Sequence, residues 1–106
     1  MPFAVRAVKE SVVVTALTSE LDSLRVLHSK LKKRGWPDHV ACWFDGVLDF
    51  IEVKKPKGGV FEPLQIRTHD KLRQRGHTVY LLFTVADVTA YIELRRQHGR
   101  PIGVKV

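Results

Sequence analysis

Asp38, Glu52 and Lys54 are the side chains of this sequence whose types and spacing could do chemistry together. Asp38 follows Pro37 at the start of an apolar run, and Glu52-Val53-Lys54 closes a second apolar run fourteen positions later. Two carboxylates set side by side on an apolar face repel each other and are poorly solvated, unless a divalent cation lies between them. The plainer alternative has Asp38 capping a turn while Glu52 and Lys54 form an ordinary ion pair on a wet face. Which holds depends on whether the chain brings the two acids onto one face.

The runs 39–44 and 47–53 are β-branched and aromatic, with Asp45-Gly46 between them, the composition of a β-hairpin. Strand side chains alternate faces, so a one-residue slip inverts them. A two-residue turn would pair Phe44 with Val47 and set Asp38 opposite Val53, on the face away from Glu52. A three-residue loop Phe44-Asp45-Gly46, with Gly46 left-handed in a bulge, pairs Trp43 with Val47 and sets Asp38 opposite Glu52. The bulged hairpin is the expectation, with Lys54 two residues on along the same face.

Around this core the sequence reads Gly35-x-Pro37-Asp38, Glu52-Val53-Lys54, Pro56-x-Gly58 and Pro63-x-Gln65-x-x-x-His69. In order and spacing these motifs resemble the VRR-NUC branch of the PD-(D/E)xK nucleases, particularly its small stand-alone phage members, across residues 24–92. The resemblance implies metal-dependent cleavage of phosphodiester bonds in DNA. It also implies that Asp38, Glu52 and the Val53 carbonyl hold Mg²⁺ or Mn²⁺, with Glu10 of the first helix reaching towards the ion. Read alone, Glu10 is an exposed helix glutamate. Hard oxygen donors suit these ions, and paired Cys and His ligands for structural zinc are lacking. The ion would polarise the phosphodiester and lower the pKa of an attacking water. Lys54 would orient that water and offset charge developing on the phosphate. Gln65 and His69, four apart on one helix face, would contact the water at the metal or the scissile phosphate.

The remaining elements must position these groups. Residues 4–17 read as a helix, with Val5, Val8, Val12, Val13, Ala16 and Leu17 at helical spacing. Residues 19–31 suit either a helix opened by Ser19 or a strand, and the resemblance favours a strand over 24–28. A helix over 61–75 has Pro63 in its first turn, Leu64, Thr68 and Leu72 as its inner stripe and Gly76 as its stop. A buried strand follows over 78–83. Thr84 then caps a last helix from Val85 to about Gln97, with Asp87 at its third position and Val85, Val88, Tyr91 and Ile92 inward. Residues 102–106 are a candidate edge strand or intersubunit contact. The order helix, strand, hairpin, helix, strand, helix gives a three-layer α/β domain, a mixed central β-sheet flanked by helices. This is the restriction-endonuclease-like fold.

The 106 residues, 44% apolar and 27% charged, suit one soluble domain over 1–106 with a single core. Eighteen basic against eleven acidic side chains, a net charge of +7, favour a polyanionic partner. No apolar run approaches the ~20 residues of a membrane span, and Met1-Pro2-Phe3 does not open a signal peptide, so a cytoplasmic location away from membranes is expected. Cys42, the sole cysteine, cannot form an internal disulfide and is expected in the core rather than as a nucleophile.

DNA contacts are expected from the basic loop Lys30, Lys32, Lys33 and Arg34, from Lys55 and Lys57 after the hairpin, and from Arg67, His69, Lys71 and Arg73 of the helix. The stand-alone relatives resemble Holliday junction resolvases, which implies a homodimer offering two sites to branched DNA. The rival readings are a DNA-binding module without catalysis and a scaffolding subunit of a phage or repair complex.

Overall fold

Val13, Leu17 and Leu21, four apart, form the buried stripe of helix α1, Glu10–Ser23, in a computed structural model that describes residues 9–55 and 60–98. The helix expected over 4–17 thus runs six residues further at its C-terminal end, because Leu21 continues the stripe; residues 4–8 lie outside the described residues. Val12, expected inward, is exposed on the opposite side.

Arg25, in the left-handed region at φ +59°, ends α1. Its N–H donates to the Asp22 carbonyl (3.0 Å) and the Val26 N–H to the Leu21 carbonyl (2.9 Å), the pattern of a Schellman closure. Val26 and Leu21 then share the core, the apolar contact that accompanies this motif. The turn consumes residues 24–26, so strand β1 is Leu27–Lys30 rather than the expected 24–28.

β2, His39–Cys42, and β3, Leu48–Val53, form the hairpin in the bulged register. Val40 faces Phe50 and Cys42 faces Leu48, while Trp43 N–H donates to the Val47 carbonyl at 2.9 Å. Gly46, at φ +87°, holds the left-handed position of the three-residue loop. β4, Thr78–Leu82, pairs in parallel with β3, and helix α2, Pro63–Gln74, forms the crossover between them. The sheet order is β1-β2-β3-β4, and α3 is Val85–His98. Thr84 and Asp87 cap α3 reciprocally: Asp87 N–H donates to Thr84 Oγ1 and Thr84 N–H to Asp87 Oδ2, both at 3.1 Å.

Alternation divides the core between the two faces of the sheet. Ala41, Trp43, Ile51, Val53 and Leu82 meet α1 and α3 on one face, whereas Phe50 and Val79 meet Leu72 of α2 on the other. This is the three-layer α/β arrangement with a mixed sheet. Two further inward assignments change. Val85 is 40% exposed at the start of α3, and Cys42 is exposed, because its strand position points to the α2 face of the sheet and α2 packs over β4 rather than β2. Residues 102–106 and Lys57 lie outside the described residues.

Asp49, with no apolar partner to bury it, is the polar member of the α1–α3 face. It is fully buried and accepts from Tyr91 (2.6 Å) and in bidentate fashion from Arg95 (2.7 Å twice), while Trp43 Nε1 donates to Tyr91 at 2.9 Å. This network fastens α3 to the start of β3.

Candidate active site

The bulged register sets Asp38, just before β2, across from Glu52 in β3. Val53 N–H donates to Asp38 Oδ2 at 3.1 Å, which pins that carboxylate over the end of β3. The Leu31 N–H donates to the Asp38 carbonyl at 2.6 Å and closes the intervening loop. Gly35 in that loop has φ +86°, and a Cβ there would lie 2.6 Å from Leu64 Cγ of α2. Only glycine lets the loop dock so closely, with Trp36 packed edge-on against Phe50 below it.

Glu52 is 2% exposed and faces α2. Gln65 Nε2 donates to Glu52 Oε2 at 3.3 Å, and Gln65 Oε1 accepts from Lys54 Nζ at 3.4 Å and from the Glu62 N–H at 3.0 Å. Gln65 therefore joins the carboxylate, the lysine and the start of α2. Lys54 Nζ also donates to the Val60 carbonyl (3.0 Å), stands 3.8 Å from Glu52 Oε2 and lies 5.0 Å above the Phe61 ring.

Burial, and secondly the charge of Asp38, push the Glu52 carboxyl up to about 7, against the opposing pull of Lys54. Its Oε1 is buried without a partner, as is Nε2 of His69, 3.8 Å away. Burial also lowers the pKa of His69, so the imidazole is neutral and the contact is not an ion pair. The site is thus short of positive charge and has a buried oxygen with nothing to bind. Asp38, Glu52 and the Val53 carbonyl are hard oxygen donors, and that chemistry fits a divalent cation. Among the described residues, no three His, Cys, Asp or Glu side chains are gathered tightly enough to hold a metal by themselves.

Asp38 lines two cavities. One, of about 400 Å³, also has Lys32, Lys33, Arg34, Lys54 and Gln65 in its walls, so the basic loop meets Asp38 in a single cleft. The other, of about 410 Å³ on the α1 side, contains Glu10, Lys30, His39 and Val53. Glu10 is therefore across a cavity from Asp38 and Val53. His39, which the sequence did not single out, is buried there with Nδ1 unpartnered and its pKa lowered by burial.

The other expected contact residues are dispersed. Arg67, Lys71 and Arg73 lie exposed on the outer side of α2, and Lys55 is exposed after β3. His69, placed with them in the sequence, is 2% exposed beside Glu52. Phe61, beneath Lys54 and edge-on to His69 at 6.1 Å, and Val60, which holds Lys54 through its carbonyl, were not foreseen. Main-chain contacts and aromatic neighbours of this kind leave no mark at fixed sequence spacing.

Neither a family model nor a curated protein sequence matches the chain. Among solved structures, one described as a VRR_NUC domain superimposes with a TM-score of 0.72 at 32% identity, covering 82% of this chain and 97% of that one.

Proposed function

The chain belongs to the VRR_NUC domain family, and from that premise we propose that it is a metal-dependent, structure-selective DNA endonuclease acting on branched DNA in the manner of a Holliday junction resolvase. The reading is carried by one observation: Asp38 and Glu52 face each other at the end of the hairpin, with Lys54 beside Glu52 and a Glu52 oxygen left unpartnered in the protein interior.

In this reading Asp38, Glu52 and the Val53 carbonyl would hold Mg²⁺ or Mn²⁺, with Glu10 across the α1-side cavity as a further donor. Such an ion would supply charge that polarises the phosphodiester and makes water acidic enough to attack at neutral pH. The protein does the positioning. The Val53 N–H fixes Asp38, and Gln65 fixes both Glu52 and Lys54. The Lys54 ammonium offsets charge developing on the phosphate, and the neutral His69 closes the site behind Glu52. Lys32, Lys33 and Arg34 hold the phosphates flanking the cut in the cleft they share with Asp38. Lys30, Lys55, Arg67, Lys71 and Arg73 extend that electrostatic surface. A homodimer would present two such sites to the two strands of a junction. The whole chain acts as a single domain in the cytoplasm; no helix among the described residues is long and apolar enough to cross a membrane.

The test is cleavage of a panel of four-way junction, flap, single-stranded and linear duplex DNA by the purified protein, with EDTA, Mg²⁺, Mn²⁺ or Ca²⁺. Paired symmetric nicks on the junction with Mg²⁺ or Mn²⁺, binding alone with Ca²⁺ and no cutting in EDTA are expected. Activity that survives exhaustive chelation sinks the metal-dependent reading, and equal cutting of every substrate sinks the junction preference.

A further inference from the structure

The outer side of α2 is charged, with Arg67, Asp70, Lys71 and Arg73 all exposed. Yet Ile66 on this helix is 50% exposed and Leu81 of β4 is 37% exposed. The two flank a cavity of about 140 Å³ that is lined further by Phe61 and His69, with Asp70 and Arg73 completing it. An apolar cavity of about 150 Å³ accepts benzene. This one has the size of a single six-membered ring.

Sheet register sets its location. Leu81 is the cross-strand partner of Glu52, and His69 stands between the cavity and Glu52, with Nε2 3.8 Å from Oε1. Phe61 belongs to both places, since Lys54 Nζ lies 5.0 Å above its ring. One layer of side chains, His69 and Phe61, thus separates the cavity from Glu52 and Lys54.

Resting on the nuclease reading above, we propose that this slot holds one unpaired pyrimidine base of the DNA strand being cut, beside the scissile phosphate. The half-exposed Phe61 ring, backed edge to face by the buried His69 at 6.1 Å and 78°, gives the cavity an aromatic side of the kind on which a base packs. Stacking is tolerant of sequence, so the preference comes from size: a fused purine overfills the volume. Asp70 accepts from a cytosine amino group, and Arg73 donates to a pyrimidine carbonyl. These two side chains now pair with each other at 3.7 Å while exposed, an arrangement of little worth that a base edge readily replaces. A base stacked within a duplex cannot enter. The slot thus selects DNA with an unpaired nucleotide at the cut, as in a flap or an opened junction arm.

The experiment uses the full chain and flap substrates identical except for the unpaired nucleotide beside the mapped cut, which is C, T, A, G or abasic. At subsaturating DNA, the C and T substrates should be cut about tenfold faster than the abasic one, the size expected for one base on an aromatic platform. Ile66→Trp fills the slot from an exposed position. It should bring all five substrates to the abasic rate and leave that rate unchanged, and Leu81→Trp should do the same. As a readout independent of cutting, pyrrolocytosine at that position should be quenched when bound by Glu52→Gln protein, and the quench should vanish when Ile66→Trp is added. Equal rates across the set with no quench overturn the slot while leaving the nuclease reading intact. If no substrate is cut by the unaltered protein, the nuclease reading fails instead, and the quench alone decides whether the slot binds a base.

Discussion

Burial and the charge of Asp38 push the Glu52 carboxyl from 4.5 up to about 7, which gives Glu52 its own contribution to the pH behaviour of the metal-free protein. Between those values the folded chain holds a proton that the unfolded chain has released, so stability falls as pH rises. The loss is absent below about pH 4.5 and complete above about pH 7, and amounts to about 3 kcal/mol. In thermal unfolding in EDTA from pH 5 to 8, the difference between the unaltered protein and Glu52→Gln should follow this fall, since the opposite contribution of the buried His39 and His69 is common to both. Mn²⁺ should raise the melting temperature more at pH 8 than at pH 5, because metal and proton compete for the same carboxylate. A difference that stays constant across this range contradicts the burial argument for Glu52. Asp38, Glu52 and Lys54 were legible in the sequence because each lies in a short motif and one hairpin register joins them. The Asp49 network was not, since Tyr91 and Arg95 arrive from 42 and 46 positions away. Asp49→Ala leaves the partly buried Arg95 guanidinium and the buried Tyr91 hydroxyl without their acceptor and should cost about 3 kcal/mol in urea unfolding.

Each element was legible where its signal is local. The hairpin loop demanded a left-handed residue and Gly46 supplied it, so the register followed. The boundaries of α1 and β1 were missed because Arg25, not a glycine, makes the left-handed turn between them. Nothing in its side chain announces that role. Cys42 was misplaced for a different reason: composition marks a strand, but only the placement of α2 over β4 decides which part of the sheet face is covered. The docking of the basic loop on α2 makes a sharper prediction. Gly35→Ala meets both a strained backbone and a Cβ contact at 2.6 Å with Leu64, and should destabilise the fold by about 1–3 kcal/mol. Leu64→Ala in the same chain should recover the steric part of this loss, so the two substitutions are non-additive in urea unfolding. Additive losses would show that the loop does not dock there.

At the scale of the molecule, a +7 chain of 106 residues places its basic loop in one cleft with Asp38, and under the proposed function the loop supplies DNA affinity and the carboxylates the cutting. Lys32→Ala with Lys33→Ala should lower the slope of log affinity against log salt by about 1.8, at roughly 0.9 per phosphate contact, without changing the preferred DNA structure. An unchanged slope would mark the loop as merely solvated. Sedimentation should give the mass of a dimer at micromolar concentration, and a monomer that still nicks junctions symmetrically contradicts the two-site geometry. The measurement that bears most directly on the whole account is single-turnover cleavage of a labelled four-way junction by the unaltered protein and by Glu52→Gln, at equal DNA occupancy and with Mg²⁺ or Mn²⁺. The account predicts cutting by the first and none by the second, with DNA affinity unchanged. Cutting by Glu52→Gln at the unaltered rate would contradict it.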